Sequence, residues 1–477
     1  MECAISPLIR DTPSGACWTC QEYLRACDAS LPRCRTCAKH GLTCSGYGNK
    51  LSLANEGLTS TRQGRKHRKS TLMRKTFTAQ ETPSSMPSLA LPAEQSYFVQ
   101  HFSHNIARIG LAIDHHGNGY RWLLPMAMSE PALLNAALAV AASHHSRWQQ
   151  KTDDVSQKYL RASCKDLKQR FTNPKLTHST VTLATMLLLS TYEVFLGSDR
   201  WKGHLQAIHG WIRSRGDCSD LDPFLKDWVC MLEVQASLSL GTATIPDLDP
   251  WMEASVDRKE TIDALFGCSV RLPKLMAVAS RLLAASKNGE LVPSEVQSQA
   301  DSLQDQIRAT CIPQDAVPML GLACHHKSRA FSNTSGLSED ELRHRATATA
   351  EIFRHATHIF VYRITHRPEI PLCSEMQESL YSALELLTHV PDAIGPGANL
   401  GWCLVVLGTE LEAVDFRRYI TSRWAGLHLL GVHNTKNGEK ILNEVWNHRD
   451  LMKRGYPMAS ERWQDTMLRI GQAQILI

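Results

Sequence analysis

Little in this sequence points to a membrane or to catalysis. The most apolar window, TLATMLLLSTYEVFL at 182–196, is too short to cross hydrocarbon and contains Thr, Ser, Tyr and Glu, so it predicts a buried helix and no membrane contact. No leader-like run occurs near Met1: the first thirty residues carry Arg10, Asp11, Glu22 and Arg25 without a useful apolar stretch, and a reducing compartment is expected. Strand-like alternation is sparse. The chain contains no P-loop, no nucleophile elbow and no H-E-x-x-H, which removes the common signatures of phosphoryl transfer, serine hydrolysis and zinc proteolysis. The glycines of GPGANLG (395–401) follow no predicted strand and include Pro396, so they read as a loop. The pairs His115-His116, His144-His145 and His325-His326 are poor chelators, because neighbours on a helix point about 100° apart. Surface or partly buried histidines are expected there. What remains is a chain of 477 residues, 43% hydrophobic, long enough for one large core or two smaller ones.

Its cysteines are unevenly placed. Seven of fifteen fall in the first 44 residues, and the other eight (Cys164, Cys218, Cys230, Cys268, Cys311, Cys324, Cys373, Cys403) are scattered, as small buried hydrophobes are. The early set has the spacing Cys17-x2-Cys20-x6-Cys27-x6-Cys34-x2-Cys37-x6-Cys44, two copies of one C-x2-C-x6-C unit, with Cys3 outside it. Repeated C-x2-C pairs in a reducing compartment read as zinc ligands. Thiolates suit tetrahedral zinc, and six of them satisfy two ions only by sharing two sulfurs. Two Zn²⁺ ions are therefore the expected cofactor.

The spacing, Trp18 inside the first pair, Pro32 before Cys34 and the closing GLTC resemble the fungal Zn(2)-Cys(6) binuclear zinc-cluster transcription factors. The resemblance implies that Cys17 and Cys34 bridge the ions and that Cys20, Cys27, Cys37 and Cys44 are terminal ligands. It also implies a short helix after the second cysteine that enters the major groove of double-stranded DNA. Here the chain departs from the family pattern: residues 21–26 are QEYLRA, with Arg25 the only base and Glu22 where a base is usual. Arg25, Arg33, Arg35 and Lys39 are the charged candidates for DNA contact, opposed by Glu22 and Asp28. Two zinc ions on six thiolates carry a net charge of −2, which brings the module close to neutrality. Weak phosphate attraction and an altered base readout are expected. Trp18 is expected to pack against the cluster.

The missing charge lies downstream. RQGRKHRKSTLMRK (62–75) contributes Arg62, Arg65, Lys66, Arg68, Lys69, Arg74 and Lys75 without an acid. Such a run reads as a nuclear-import signal, a phosphate-gripping arm or a solvated linker. From 45 to 95 the composition is Ser-, Thr-, Pro- and charge-rich, as in a disordered tether, and 1–16 reads the same way. No heptad-patterned helix follows the cluster, which leaves a monomer or a homodimer formed through the large domain.

Beyond it the pattern becomes helical. PALLNAALAVAASHHSRW begins at Pro131 after Ser129, with Leu134, Leu138 and Ala141 on one face. GHLQAIHGWIRSRG aligns Leu205, Ile208 and Ile212 and offers Gly216 as a stop. Further helical stretches occur at 376–390, 400–420 and 438–451. The expected fold class is all-α: a small binuclear zinc-cluster module at 17–44, a disordered basic linker, and a large multi-helix domain of ten or more helices at 96–477. Together with MLLLSTYEVFLGSDRWKGHLQAIHGWIRSRG and KILNEVWNHRDLM, this region is similar to the middle-homology domain of the same regulators, which implies a regulatory role without catalytic residues. The expectation is a nuclear, DNA-binding regulator of RNA polymerase II transcription, such as one serving a secondary-metabolite cluster. The alternatives are a co-regulator acting through partners with a DNA-silent zinc module, and an enzyme with a vestigial one.

Overall fold

The structure, a computed structural model, describes residues 27–28, 34–40, 91–115, 117–256, 261–312 and 337–476. These residues are helical apart from turns, linkers and isolated bridge residues such as the antiparallel pair Ile262 and Ser269, in agreement with an all-α class. The short helix α1 (Arg35–Lys39) lies in the cysteine-rich region. The large domain starts with α2 (Ala93–His101), which passes through a π-helical turn at Phe102–Ile106 into α3 (Ala107–Ile109). It continues with α4 (Gly119–Ala127), α5 (Pro131–Trp148), α6 (Val155–Thr172), α7 (Pro174–Thr177), α8 (Thr180–Leu196), α9 (Trp201–Arg215), α10 (Pro223–Leu240) and α11 (Asp249–Val256). Then come α12 (Leu272–Asn288), α13 (Pro293–Arg308), α14 (Glu339–Thr365), α15 (Ser374–Leu387), α16 (Gly401–Thr409), α17 (Val414–His428), α18 (Asn434–Lys453) and α19 (Trp463–Arg469).

Burial sorts these helices into two kinds. In α8 every residue from Val181 to Phe195 is buried, and all nine residues of α16 are buried. The hydroxyls this places in the interior bond back along their own helix, Thr185 to the Val181 carbonyl at 2.7 Å and Ser190 to that of Met186 at 2.9 Å, so they carry no desolvation debt. Outer helices bury one stripe at helical spacing, such as Val296, Ala300, Leu303 and Ile307 of α13. Ends are set by local chemistry: the Ser179 hydroxyl caps α8 at the Thr182 amide, and Gly197 closes it at φ 74°. The run 182–196 is the buried helix expected of it.

Some expectations need adjustment. Helix α5 covers Pro131–Trp148, but its cap position is Glu130, and the Ser129 hydroxyl donates to the Met126 carbonyl instead. The stretch 400–420 is broken between Thr409 and Val414, where the Arg417 guanidinium takes the Leu411 carbonyl at 3.0 Å. Cys164, Cys311 and Cys373 are exposed, contrary to the buried-hydrophobe reading, whereas Cys218, Cys268 and Cys403 follow it. Cys164 falls on the outward face of α6, whose buried stripe is Tyr159, Leu160, Ser163 and Leu167. The segment 395–400 is a turn, as expected.

Trp201, Trp228, Trp402 and Trp424 are among the largest fully buried side chains. Trp424 requires α17 and α18 to approach closely: a Cβ on Gly438 would lie 2.3 Å from its ring. Gly438→Ala is expected to lower stability by about 1–3 kcal/mol through overpacking, read as a reduced urea midpoint at unchanged slope. Residues 473–476 reach back across the domain. The Trp201 indole donates to the Ala473 carbonyl at 3.0 Å, the Gln474 amide to the Gly197 carbonyl at 2.8 Å, and Asn434 to the Ile475 carbonyl at 3.2 Å.

Candidate metal centre

Three of the six expected zinc ligands lie within the described residues. Cys34 is in extended conformation just ahead of α1 (φ −68°, ψ 139°), and its sulfur accepts a hydrogen bond from the Cys37 amide at 3.2 Å. The x2 spacing therefore acts as a helix start: Cys34 takes the capping position and Cys37 the third residue of the first turn, which turns both side chains inward. They are 0% and 1% exposed, whereas Asp28, Arg35, Ala38, Lys39 and His40 among the described residues around them face solvent. Cys27, half-buried, approaches from the preceding segment, and its sulfur, the Cys34 sulfur and an Asp28 carboxylate oxygen all lie within 4.8 Å of one another.

This donor set fits zinc. Two thiolates on one tetrahedral Zn²⁺ stand about 3.8 Å apart, given bonds near 2.3 Å, inside the bound that Cys27 and Cys34 satisfy. The amide N–H on the Cys34 sulfur orients that sulfur toward Cys27. Bound zinc would draw the two segments together and supply charge, while the chain holds them in register. Asp28, which the sequence reading counted only as a negative charge, has a second part in this. Its Oδ1 accepts from the Thr36 amide at 3.2 Å and the Thr36 hydroxyl at 3.4 Å, tying the Cys27 segment to the first turn of α1. An acid directly after a ligand cysteine was the available signal, since carboxylates are favoured at helix starts.

Of the expected DNA contacts, Arg35 and Lys39 are exposed at the two ends of α1. Arg25, Arg33, Cys17, Cys20, Cys44, Trp18 and the basic residues Arg62, Arg65, Lys66, Arg68, Lys69, Arg74 and Lys75 lie outside the described residues.

The doubled histidines divide differently from expectation. His144 is buried, not superficial, and its Nε2 meets the Leu430 carbonyl at 2.7 Å while its Nδ1 meets His101 Nε2 at 2.9 Å. Asn105 Nδ2 completes the row at His101 Nδ1, 3.1 Å away. One assignment satisfies all three contacts: Asn105 donates to His101, His101 to His144, and His144 to the backbone. Both rings are then neutral, and burial, reinforced by neighbouring histidines, pulls His101 down to about 3; burial also pulls His144 to about 4. This row fastens α2 and α5 to the turn after α17, a structural task with no ligand position left over. Because the folded pKa values lie below the unfolded 6.5, the stability it supplies is present above pH 6.5 and is lost as the pH falls toward 4. Lowering the pH from 7 to 5 is expected to cost about 2 kcal/mol at the first protonation. Denaturation midpoints at the two pH values test it, and His101→Gln with His144→Gln should reduce the difference, the remainder coming from His355, His358 and His433, which burial also pulls down.

Comparison with known proteins places this geometry. Residues 15–53 match the fungal Zn(2)-Cys(6) binuclear cluster domain, and residues 96–477 match the fungal specific transcription factor domain. The chain is similar to the pestheic acid cluster transcriptional regulator 3 of Pestalotiopsis fici, at 24% identity over 579 aligned positions covering 97% of this chain and 98% of that protein. No solved structure matches it. Since one of these domains spans most of its length and the cysteine module precedes it, the chain belongs to the fungal transcription factors that join a Zn(2)-Cys(6) cluster to a fungal specific transcription factor domain.

Proposed function

We propose that the protein is a nuclear regulator that holds two zinc ions through Cys17, Cys20, Cys27, Cys34, Cys37 and Cys44, binds double-stranded DNA, and controls transcription of a specific gene set by RNA polymerase II. The observation that carries this reading is the inward-turned pair Cys34 and Cys37 with the Cys27 sulfur beside it, a thiolate pocket made by local backbone chemistry. Arg35 and Lys39 stand exposed on the same short helix, available to phosphate, with Arg25 and Arg33 as further contacts. The run 62–75 serves import and phosphate contact, and the helical domain governs output through co-regulators or a second copy. A role in a secondary-metabolite cluster is supported by the name of the Pestalotiopsis relative. No catalytic step is assigned to any residue.

A second reading rests on the charge-poor QEYLRA segment: the module is then a structural domain, and the protein acts on promoters through partners. Selection of random duplex DNA by the full-length, zinc-loaded chain at near-physiological salt separates the two. An enriched half-site supports direct readout; unenriched retention that disappears with salt refutes it. Replacing the seven bases of 62–75 by glutamine is expected to flatten the dependence of log affinity on log salt by up to about 6, measured by anisotropy titration.

A further inference from the structure

A second site lies at the opposite end of the sequence. The 366–370 turn, α18 and the segment leading into α19 line a half-open cavity of about 290 Å³ whose walls include Pro368, Val445, Arg449 and Met452 along with Glu412 and Glu461. That volume approaches the range of small-molecule sites. A smaller cavity continues from it past Arg449 to Arg462 and Trp463.

Its charges are unequally matched. Glu410 is held by Arg363 at 2.6 Å, Glu412 by Lys453 at 3.0 Å, and Glu461 by Arg469 at 2.7 Å. Glu369 is exposed and bonded by the Ser460 hydroxyl. Arg449 and Arg462, by contrast, form no ion pair among the described residues. Arg449 donates to the Thr409 carbonyl, and Arg462 to the carbonyls of Arg363 and Ile364, which leaves most of the ten N–H groups of two guanidiniums without a protein acceptor. Burial lowers the pKa of both from the usual arginine value, against the opposing attraction of Glu410 and Glu412 on Arg449 and of Asp465 and Glu369 on Arg462. A half-buried guanidinium of this kind presents a planar fork suited to a carboxylate, and Val445, Met452 and Pro368 beside it suit carbon rather than water or inorganic oxygen.

We infer that the two adjoining cavities form one binding site for a small organic acid, its carboxylate in the smaller one on Arg449 and Arg462 and its apolar part in the larger one against Val445, Met452 and Pro368. The site would make the helical domain responsive to a metabolite independently of the zinc module.

Isothermal titration of the full-length zinc-loaded protein with benzoate, benzamide and inorganic phosphate tests it. Saturable benzoate binding is expected, with benzamide and phosphate at least tenfold weaker. Arg449→Gln should weaken benzoate at least tenfold while circular dichroism and melting stay near the parent values. Arg449→Lys, which keeps charge but loses the fork, should fall between. Should the arginine variants misfold, Met452→Trp fills the cavity from a partly exposed position and should abolish binding with Arg449 intact. Absence of saturable benzoate binding overturns the inference, as does benzoate binding indifferent to both Arg449→Gln and Met452→Trp; phosphate binding as tight as benzoate overturns the organic-acid assignment.

Discussion

Cys34→Ser in the full-length chain is expected to release both zinc ions and unfold the region around α1 while leaving the helical domain folded. The physical ground is that Cys34 does two jobs: its sulfur faces Cys27, and it caps the turn that brings Cys37 inward. A serine keeps the cap, so the loss measures the metal role alone. Structural zinc contributes on the order of 10–16 kcal/mol to modules of this kind, far beyond what so small a core supplies by burial. Metal content by plasma emission should fall from two ions per chain to none, and a retained pair of ions would disprove the binuclear assignment. The companion Asp28→Ala removes the tie to Thr36 without touching a thiolate and should weaken zinc affinity about 10–100-fold, with the stoichiometry preserved.

Arg423→Met carries the largest expected effect within the helical domain. The guanidinium is buried and makes three contacts, donating to the Leu387 carbonyl at 2.8 Å and the Val390 carbonyl at 2.6 Å and facing Asp392 at 2.7 Å. It closes the end of α15 from α17. A methionine of similar length leaves two carbonyls and a half-buried carboxylate uncompensated, a change worth about 3 kcal/mol. Burial already pushes Asp392 up to about 6 despite the attraction of Arg423. A raised carboxylate favours folding below its unfolded pKa and loses that contribution as the pH rises through about 6. The variant's deficit should accordingly be greatest at pH 7 and smaller at pH 5, and Asp392→Asn should restore part of it. Urea denaturation at both pH values reads this; an equal deficit at the two would show that the carboxylate is not its source.

How much of this could be read from the sequence follows from the range of the forces involved. Helix α5 and the buried run of α8 were legible because helical periodicity, Pro131 and an unbroken apolar stretch act within a turn or two of the chain. The Cys27–Cys34–Cys37 arrangement was legible for a similar reason, since ligand spacing and helix capping are both local. The break at 410–413 was not, because it depends on side chains such as Arg417 and Trp446, the latter donating to the Gly408 carbonyl from α18 at 2.9 Å. Nor could His144 be placed inside: its acceptor, Leu430, is 286 residues away. Composition could show that arginines are plentiful but not that Arg449 and Arg462 form no ion pair among the described residues, which depends on where the acids of other helices fall.

The contacts of residues 473–476 with Trp201 and Gly197 also bear on how the protein is made. A ribosome emitting roughly 5–20 residues per second has finished α8 and α9 long before Ala473, Gln474 and Ile475 exist, so during synthesis Trp201 and the end of α8 must wait without their closing partners. The apolar flank of the nascent domain is thus uncovered for tens of seconds, and its final closure waits until residues 473–476 have emerged. A message that stops short of residue 473 would yield a domain with most of its helices and an unsealed seam, the kind of product that chaperones retain and proteases remove.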